Sequence, residues 1–263
     1  MKNNKIHIHV INTKGFQERK DFSENLLRSM DVEFTIHEFE KSEIPVKGCT
    51  SSHVNMARYA IDNNLDYLLV MEDNAILSPR FYKDGKPDTQ KIKNHLNQMI
   101  NFVVDHGIEF INSGGFLFPG AKLEKTELHK NLFKTHTVLG LSFYITSKNM
   151  CKTLIDDYDK GLIKIPVDDH IATYNQYIYF PYLFHHRKVS SIVNKPLEFL
   201  RNFIFSNEYY RLVENTVMTS DISFLWSLGI LLIILIILFL IFVILFIVNS
   251  ILQDKESKMI KNN

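Results

Sequence analysis

Cysteine is nearly absent: Cys49 and Cys151 are the two in 263 residues, far apart and outside any C-x-x-C spacing. This argues against a disulfide framework and against a structural zinc site, and leaves reduced thiols as the expected state. Net charge is equally scarce. Lys and Arg number 30 against 29 Asp and Glu, a formal +1, so no bulk field draws the chain to nucleic acid or to an anionic membrane. Any anionic ligand must be recognised locally, and nucleic acid is not an expected partner. The P-loop, H-E-x-x-H and G-x-S-x-G patterns are also missing, which removes support for kinase, zinc-protease and serine-hydrolase chemistry. The opening stretch, MKNNKIHIHVINTKG, holds no continuous apolar h-region, because Ile6, Ile8 and Val10 alternate with polar residues. Nothing there is expected to export the chain.

What is present begins with apolar content of 46%, enough for one core of catalytic-domain size. One run stands apart. From Leu228 to Val248 the chain reads LGILLIILIILFLIFVILFIV, uncharged and of the length that crosses ~30 Å of hydrocarbon at ~1.5 Å per residue. Phe224 and Trp226 precede it, and Asn249, Ser250 and Gln253 close it, as interfacial anchors do. A single-pass transmembrane helix over 224–249 is therefore expected, with 250–263 as a short polar tail and the membrane as a partner. With no exporting signal, the domain is expected on the cytosolic side, although Lys255, Lys258 and Lys261 in the tail pull the other way against Arg211.

Ahead of that run, strand and helix patterns alternate. Lys5 to Asn12 alternates as a strand, and Phe22, Leu26, Leu27 and Met30 recur at helical spacing within Glu18 to Met30. Glu33 to Phe39 reads as a second strand. Pro45 and Gly48 read as loop punctuation, followed by a helix from Ser51 to Asn63 that Ser51 or Ser52 would cap. Asp66 to Met71 is an apolar run of buried-strand length. Lys91 to His106 reads as a helix, Phe110 to Asn112 as a strand, Ser113-Gly114-Gly115 as a tight turn, Thr137 to Ile145 as a strand and Lys148 to Tyr158 as a helix. Repeated βα units predict an α/β fold with a mainly parallel sheet flanked by helices, binding ligands at the carboxyl ends of the strands. The expected domain is 1–196. A connecting segment, 197–223, would lay Phe199, Phe203, Phe205, Tyr209 and Tyr210 on the domain or the bilayer surface.

Glu72-Asp73-Asn74 follows the apolar run Leu68 to Met71 directly. Two carboxylates and an amide carbonyl suit a hard cation such as Mg²⁺ or Mn²⁺, which takes oxygen ligands and keeps positions open for phosphates. An ordinary solvated turn is the plain alternative. Asp168 and Asp169 form a second acidic pair, readable as a catalytic base or as N-terminal residues of a helix continuing through Ile171 to Tyr177. Cys49 reads as a small buried packing residue. His170, His185 and His186 read as polar surface residues or as an added metal ligand.

Several segments fall in a familiar order. Val10-Ile11-Asn12 with trailing Arg19, then Gly48-Cys49-Thr50-Ser51-Ser52-His53, then Leu69-Val70-Met71-Glu72-Asp73-Asn74-Ala75 lead to Ile165-Pro166-Val167-Asp168. Pro181 and Ser190-Ser191-Ile192 follow. Together these resemble glycosyltransferase family 25, which includes lipooligosaccharide galactosyltransferases and the collagen galactosyltransferase domain, over roughly residues 6–195. The resemblance implies a GT-A-like fold that transfers a hexose from a nucleotide-sugar donor to a hydroxyl of a glycan, lipid-linked sugar or protein, with inversion. It implies that Asn12, Arg19, Ser52, His53 and Glu72 contact the donor, that Asp73 and Asn74 hold Mn²⁺ or Mg²⁺, and that Asp168, with Asp169 beside it, is the base. Helix capping for Ser52 and a solvated surface charge for Arg19 are the structural alternatives. At Asn74 the family usually carries a second Asp. A neutral ligand there weakens the metal site, so a degenerate sugar-nucleotide-binding protein is a second expectation, and a membrane-anchored interaction module a third.

Overall fold

The computed structural model describes residues 5–117, 121–136, 138–164, 166–187 and 207–218. The chain opens with two βα units: β1 (His7–Thr13), α1 (Gln17–Ser29), β2 (Glu33–Phe39), α2 (Pro45–Asp62) and β3 (Tyr67–Glu72). Next come β4 (Ala75–Leu77), the small ribbon of β5 (Tyr82–Lys83) and β6 (Lys86–Pro87), α3 (Thr89–Val104) and β7 (Phe110–Asn112). A helix-free stretch holds β8 (Phe116–Leu117), β9 (Glu124–Lys125), β10 (Leu132–Thr135), β11 (Val138–Leu139) and β12 (Phe143–Ser147). The fold closes with α4 (Lys148–Asp159), α5 (Val167–Ile171), β13 (Gln176–Tyr179), β14 (Phe184–His186) and α6 (Asn207–Met218).

Eight strands form the central sheet in the order β2-β1-β3-β12-β7-β13-β10-β9. β1 pairs parallel with β2 and β3, and β13 with β7, whereas β12 is antiparallel to both β3 and β7 and β10 to both β13 and β9. Following these pairings across the sheet, β12 and β10 run against the other six strands. The α/β expectation holds, with reversed strands inside the sheet. The reversal of β12 has a local cause: among the described residues no helix lies between β7 and β12 to carry the chain back for a parallel return.

β3 explains why its apolar run is continuous. Leu69 and Met71 face a core built with Leu26 and Leu27 of α1 and Leu96, Met99 and Ile100 of α3. Leu68 and Val70 face the opposite core, with Val54, Ala57 and Ala60 of α2, Met150 and Leu154 of α4, and Val167 and Ile171 of α5. Side chains alternate across a strand, so a strand covered on both faces must be apolar at every position. Each such burial contributes about 1.5–3 kcal/mol. A third cluster, with Phe133, Ile178, Phe180 and Tyr182, receives Tyr209, Tyr210, Val213 and Val217 of α6.

Four expectations change. The second helix begins at Pro45 rather than Ser51, because proline fits the first helical turn, where its missing N–H leaves no bond unmade. Gly48 lies inside that helix; a Cβ there would come within 2.7 Å of Ser42 Cβ. The expected strand from Thr137 to Ile145 is two strands, β11 and β12, broken at Gly140, whose φ of +77° no extended residue adopts. The helix around Asp168 and Asp169 ends at Ile171, and Gln176 already belongs to β13. Within the expected connecting segment, residues 207–218 form α6, and Tyr209 and Tyr210 are core residues rather than surface ones. Phe199, Phe203, Phe205, Ser190 to Ile192, the span 224–249 and the tail lie outside the described residues. Among the described residues no helix is long and apolar enough to cross a membrane.

Candidate active site

From β1 the chain passes through α1 to β2 on one side, then through α2 to β3 on the other. The carboxyl ends of β1 and β3 therefore border a topological switch point, where open α/β sheets bind ligands. Asn12 and Thr13 end one strand and Glu72 the other. Backbone bonds fix the turn that follows: Asp73 N donates to Ile11 O at 3.0 Å and Glu72 N donates to Ser142 O at 2.9 Å.

Asp73 collects three side chains, one from β1 and two from α1. Asn12 Nδ2 donates to its Oδ2 at 2.9 Å, Arg19 Nη1 reaches its Oδ1 at 3.4 Å, and Ser23 Oγ donates to its carbonyl at 3.3 Å. Arg19 is steadied from α1, its guanidinium lying 4.5 Å from the centre of the Phe16 ring. The Asp73 side chain is only 8% exposed. Burial raises its pKa, Arg19 opposes this, and neighbouring Glu72 adds to the rise, so the carboxyl titrates above its ordinary value. Asn12 and Arg19, expected to contact the donor, and Asp73, expected to hold the metal, are thus brought together.

On the other flank, His53 of α2 bridges two groups. Its Nε2 lies 3.3 Å from Glu72 Oε1 and its Nδ1 shares a 2.9 Å hydrogen bond with the Tyr144 hydroxyl. Burial would lower the His53 pKa, but Tyr144, Cys49 and Glu72 outweigh it and hold the ring well above the usual histidine value. For Glu72, burial would raise the pKa; His53, His186 and the Asn74 side chain outweigh it and hold the carboxyl low. His53 is buried and Glu72 partly so, and the two shifts favour the charged form of each partner.

Cys49 is exposed and Cys151 is the buried cysteine. The buried stripe of α2 runs through Thr50, His53, Val54, Ala57 and Ala60, which leaves Cys49 at its rim, beside His53. Ser52 does not cap the helix: its hydroxyl donates to Gly48 O at 2.9 Å, one turn back.

Asn74 binds the far end of the fold. Its backbone carbonyl accepts Arg187 N at 2.6 Å, where β4 meets β14, and its Nδ2 donates to His186 Nε2 at 3.1 Å. Asn74 Oδ1 is buried and has no hydrogen-bond partner among the described residues, and the same holds for Arg187 Nη1. The Arg187 guanidinium stacks 4.5 Å from the Phe22 ring centre and donates through Nη2 to Glu18 at 3.2 Å. Arg187 and Tyr144 are the site residues that sequence reasoning missed; neither stands in a motif, and each reaches the site through long-range strand pairing.

Of the three histidines, His186 alone meets the turn. His170 Nε2 bonds Asp157 Oδ2 at 2.9 Å. His185 stacks on Tyr210 at 4.0 Å, with its Nε2 3.6 Å from Glu214 Oε1. Asp168 and Asp169 sit in the first turn of α5. Asp168 Oδ2 accepts Gly140 N at 3.0 Å, and Gly140 O accepts Asn112 Nδ2 at 2.9 Å. Two residues after Gly140, the Ser142 carbonyl holds Glu72 N. The short segment 140–142 therefore ties Asp168 to the acidic turn. Burial, then the neighbouring Asp168, raise the Asp169 pKa. Gly114 completes this corner: its N–H donates to Asn112 Oδ1 at 2.9 Å, and a Cβ there would come within 2.6 Å of Phe143 N.

The family model described as Glycosyltransferase family 25 (LPS biosynthesis protein) matches residues 44–171. That span contains Gly48 to His53, Glu72 to Asn74, Asp168 and Asp169, and stops short of Asn12 and Arg19; over it the resemblance read from the motifs is borne out. No curated protein matches the chain. Among solved structures, the chain is similar to a glycosyltransferase involved in the glycosylation of the major capsid of PBCV-1, at 12% identity and a TM-score of 0.45, over 79% of this chain and 99% of that one. It is also similar to a nucleoside-diphosphate-sugar pyrophosphorylase from Vibrio cholerae RC9, at 9% identity and a TM-score of 0.36, over 74% and 79% of the two chains.

Proposed function

On the premise that residues 44–171 are glycosyltransferase family 25 sequence, we propose that the chain transfers a hexose from a nucleotide-sugar donor to a hydroxyl of a glycan, lipid-linked sugar or protein, with inversion. The observation that carries this reading is the convergence of Asn12, Arg19 and Glu72 around Asp73 at the switch point. Arg19 and Arg187 supply guanidinium N–H groups, which bond phosphate oxygens with charge assistance. Arg187 Nη1, a buried donor with no partner among the described residues, suits that role.

The acidic turn fits a hard divalent cation. Asn74 Oδ1 is a buried acceptor with no donor among the described residues and follows two carboxylates in sequence, and oxygen donors of this kind are what Mn²⁺ and Mg²⁺ take. Glu72, Asp73 and Asn74 would hold it, and when bound it offsets the charge on the departing nucleoside diphosphate. Asp168 takes the proton from the acceptor hydroxyl as that oxygen bonds to the anomeric carbon; the breaking bond leaves its electron pair on the diphosphate oxygen. The Gly140 N–H orients the Asp168 carboxylate for this step.

Donor hydrolysis and transfer with added Mn²⁺ test the proposal. Asp168→Asn should lower kcat by roughly 10²- to 10⁴-fold, and Asn74→Asp should raise apparent Mn²⁺ affinity. Full activity in Asp168→Asn would overturn the assignment of the base. A second reading, a degenerate protein that binds nucleotide sugar without turnover, rests on the neutral Asn74; it is distinguished by ligand-induced stabilisation without product. The uncharged run from Leu228 to Val248 completes the proposal as a single-pass anchor with the domain on the cytosolic side. Protease added to intact microsomes should then digest the domain, and protection of the domain would reverse that orientation.

A further inference from the structure

Cys49, His53 and Glu72 bring a thiol sulfur, an imidazole nitrogen and a carboxylate oxygen within 4.8 Å of one another. We propose that these three side chains form a binding site for a thiophilic divalent cation of the zinc class. It is a different site in kind from the all-oxygen turn next to it, although the two share Glu72.

Position comes first. Cys49 and His53 are separated by one turn of α2 and project from the same face, and Glu72 arrives from the end of β3. A tetrahedral zinc ion with bonds of about 2.3 Å to sulfur and about 2.0–2.2 Å to nitrogen or oxygen holds its ligand atoms about 3.3–3.7 Å apart. His53 Nε2 and Glu72 Oε1 already stand at 3.3 Å, so only the exposed Cys49 side chain has to close in. The helical turn that carries Cys49 is seated firmly, because Gly48 packs where even a methyl group would meet Ser42 Cβ at 2.7 Å.

The surroundings are those of a metal ligand. A ligating histidine uses its other ring nitrogen for a hydrogen bond that fixes the ring, and here the Tyr144 hydroxyl takes Nδ1 at 2.9 Å. Tyr144 is itself buried and stacked on Phe110. Exposure of Cys49 provides the path of entry, and three protein ligands leave a fourth position open to water. Sulfur sets the selectivity: a thiolate favours zinc-class ions over Mg²⁺ and Mn²⁺.

One consequence rests on the proposed transferase function. A zinc-class ion would withdraw Glu72 and His53 from the donor side, so Zn²⁺ should inhibit transfer and excess Mn²⁺ should not relieve it. Binding itself stands without that premise.

The test is titration of the full chain, reduced, with Co²⁺ as a spectroscopic probe. Expected are a thiolate-to-cobalt charge-transfer band saturating at one ion per chain, ligand-field bands of a tetrahedral site, and displacement of both by Zn²⁺. Cys49→Ser should abolish the charge-transfer band while Cys151→Ser, at a buried cysteine outside the Cys49-His53-Glu72 trio, keeps it. Tyr144→Phe should weaken Zn²⁺ binding by about 10- to 100-fold with its Tm recorded alongside. Absence of the band at saturating Co²⁺, or its persistence in Cys49→Ser, overturns the proposal. A silent cobalt spectrum with normal nucleotide-sugar turnover counts against this site alone; a normal cobalt spectrum without turnover counts against the transferase reading alone.

Discussion

Arg19 reaches Asp73 across 54 positions of sequence and leaves both side chains largely withdrawn from water, 18% and 8% exposed. A pair this buried stabilises little against an apolar substitute, but removing one partner strands the other. Arg19→Met should therefore destabilise the fold by about 3 kcal/mol at neutral pH, read from urea denaturation. Its sign is fixed by Asp73: the Asp73 pKa is already raised, losing Arg19 raises it further, and the penalty shrinks as pH falls and the carboxyl protonates. An unchanged midpoint at pH 7 would mean that Asn12 alone holds Asp73. Much of this site was legible at the residue scale, because Asn12, Arg19, His53, Glu72 and Asp73 stand in recognisable segments. Tyr144 and Arg187 were not legible, since each sits in a stretch whose pattern reports only strand or loop. Cys49 was misread as buried because nothing in its neighbours reveals where a helical stripe ends.

At the scale of elements, β3 was readable from its length and unbroken apolar character, and α3 and α4 from their period. α2 was misjudged because Pro45 and Gly48 are breakers in most contexts; proline at a helix start and glycine against Ser42 are tertiary facts. β1 carries a feature with a measurable consequence. Alternation puts His7 and His9 on one face, where His9 Nδ1 meets His37 Nε2 of β2 at 3.0 Å and the Tyr59 ring covers both. Burial, then His7 and His37, lower the His9 pKa to about 3. The unfolded chain binds this proton near pH 6.5 while the folded chain does not until about pH 3, so stability falls on acidification through that window. The loss should reach roughly 2 kcal/mol by about pH 5. Tm recorded from pH 7 to pH 5 should decline steeply in the wild type and less steeply in His9→Gln. Parallel slopes would remove His9 as the cause.

Across the whole molecule, α6 is the last described element and it is built into the core. Glu214 is fully buried, ion-paired to Arg80 and accepting Tyr182 N at 2.9 Å. It joins α6 to the short 3₁₀ turn of Pro79–Phe81 and to the strand end before β14. No sequence pattern distinguished this helix from a connector, because its apolar face matches aromatic residues far back in the chain. Arg80→Ala removes the guanidinium partner of the buried Glu214 and should lower stability by about 3–5 kcal/mol, seen as a lower denaturation midpoint; a shift under 1 kcal/mol would show that Tyr182 N and His185 suffice. Since β14 carries His186 next to Asn74, loosening α6 should also weaken donor binding.

The most direct measurement is the Tm of the full chain against a panel of nucleoside diphosphate sugars, with and without Mn²⁺, in the wild type and in Arg19→Met. A ligand that binds only the folded state stabilises it by about 2.7 kcal/mol at 100 times Kd. At least one nucleotide sugar should raise the wild-type Tm, more so with Mn²⁺, and Arg19→Met should lose most of that rise. A wild-type Tm that no nucleotide sugar moves at saturating concentration would contradict a donor site at Glu72-Asp73-Asn74.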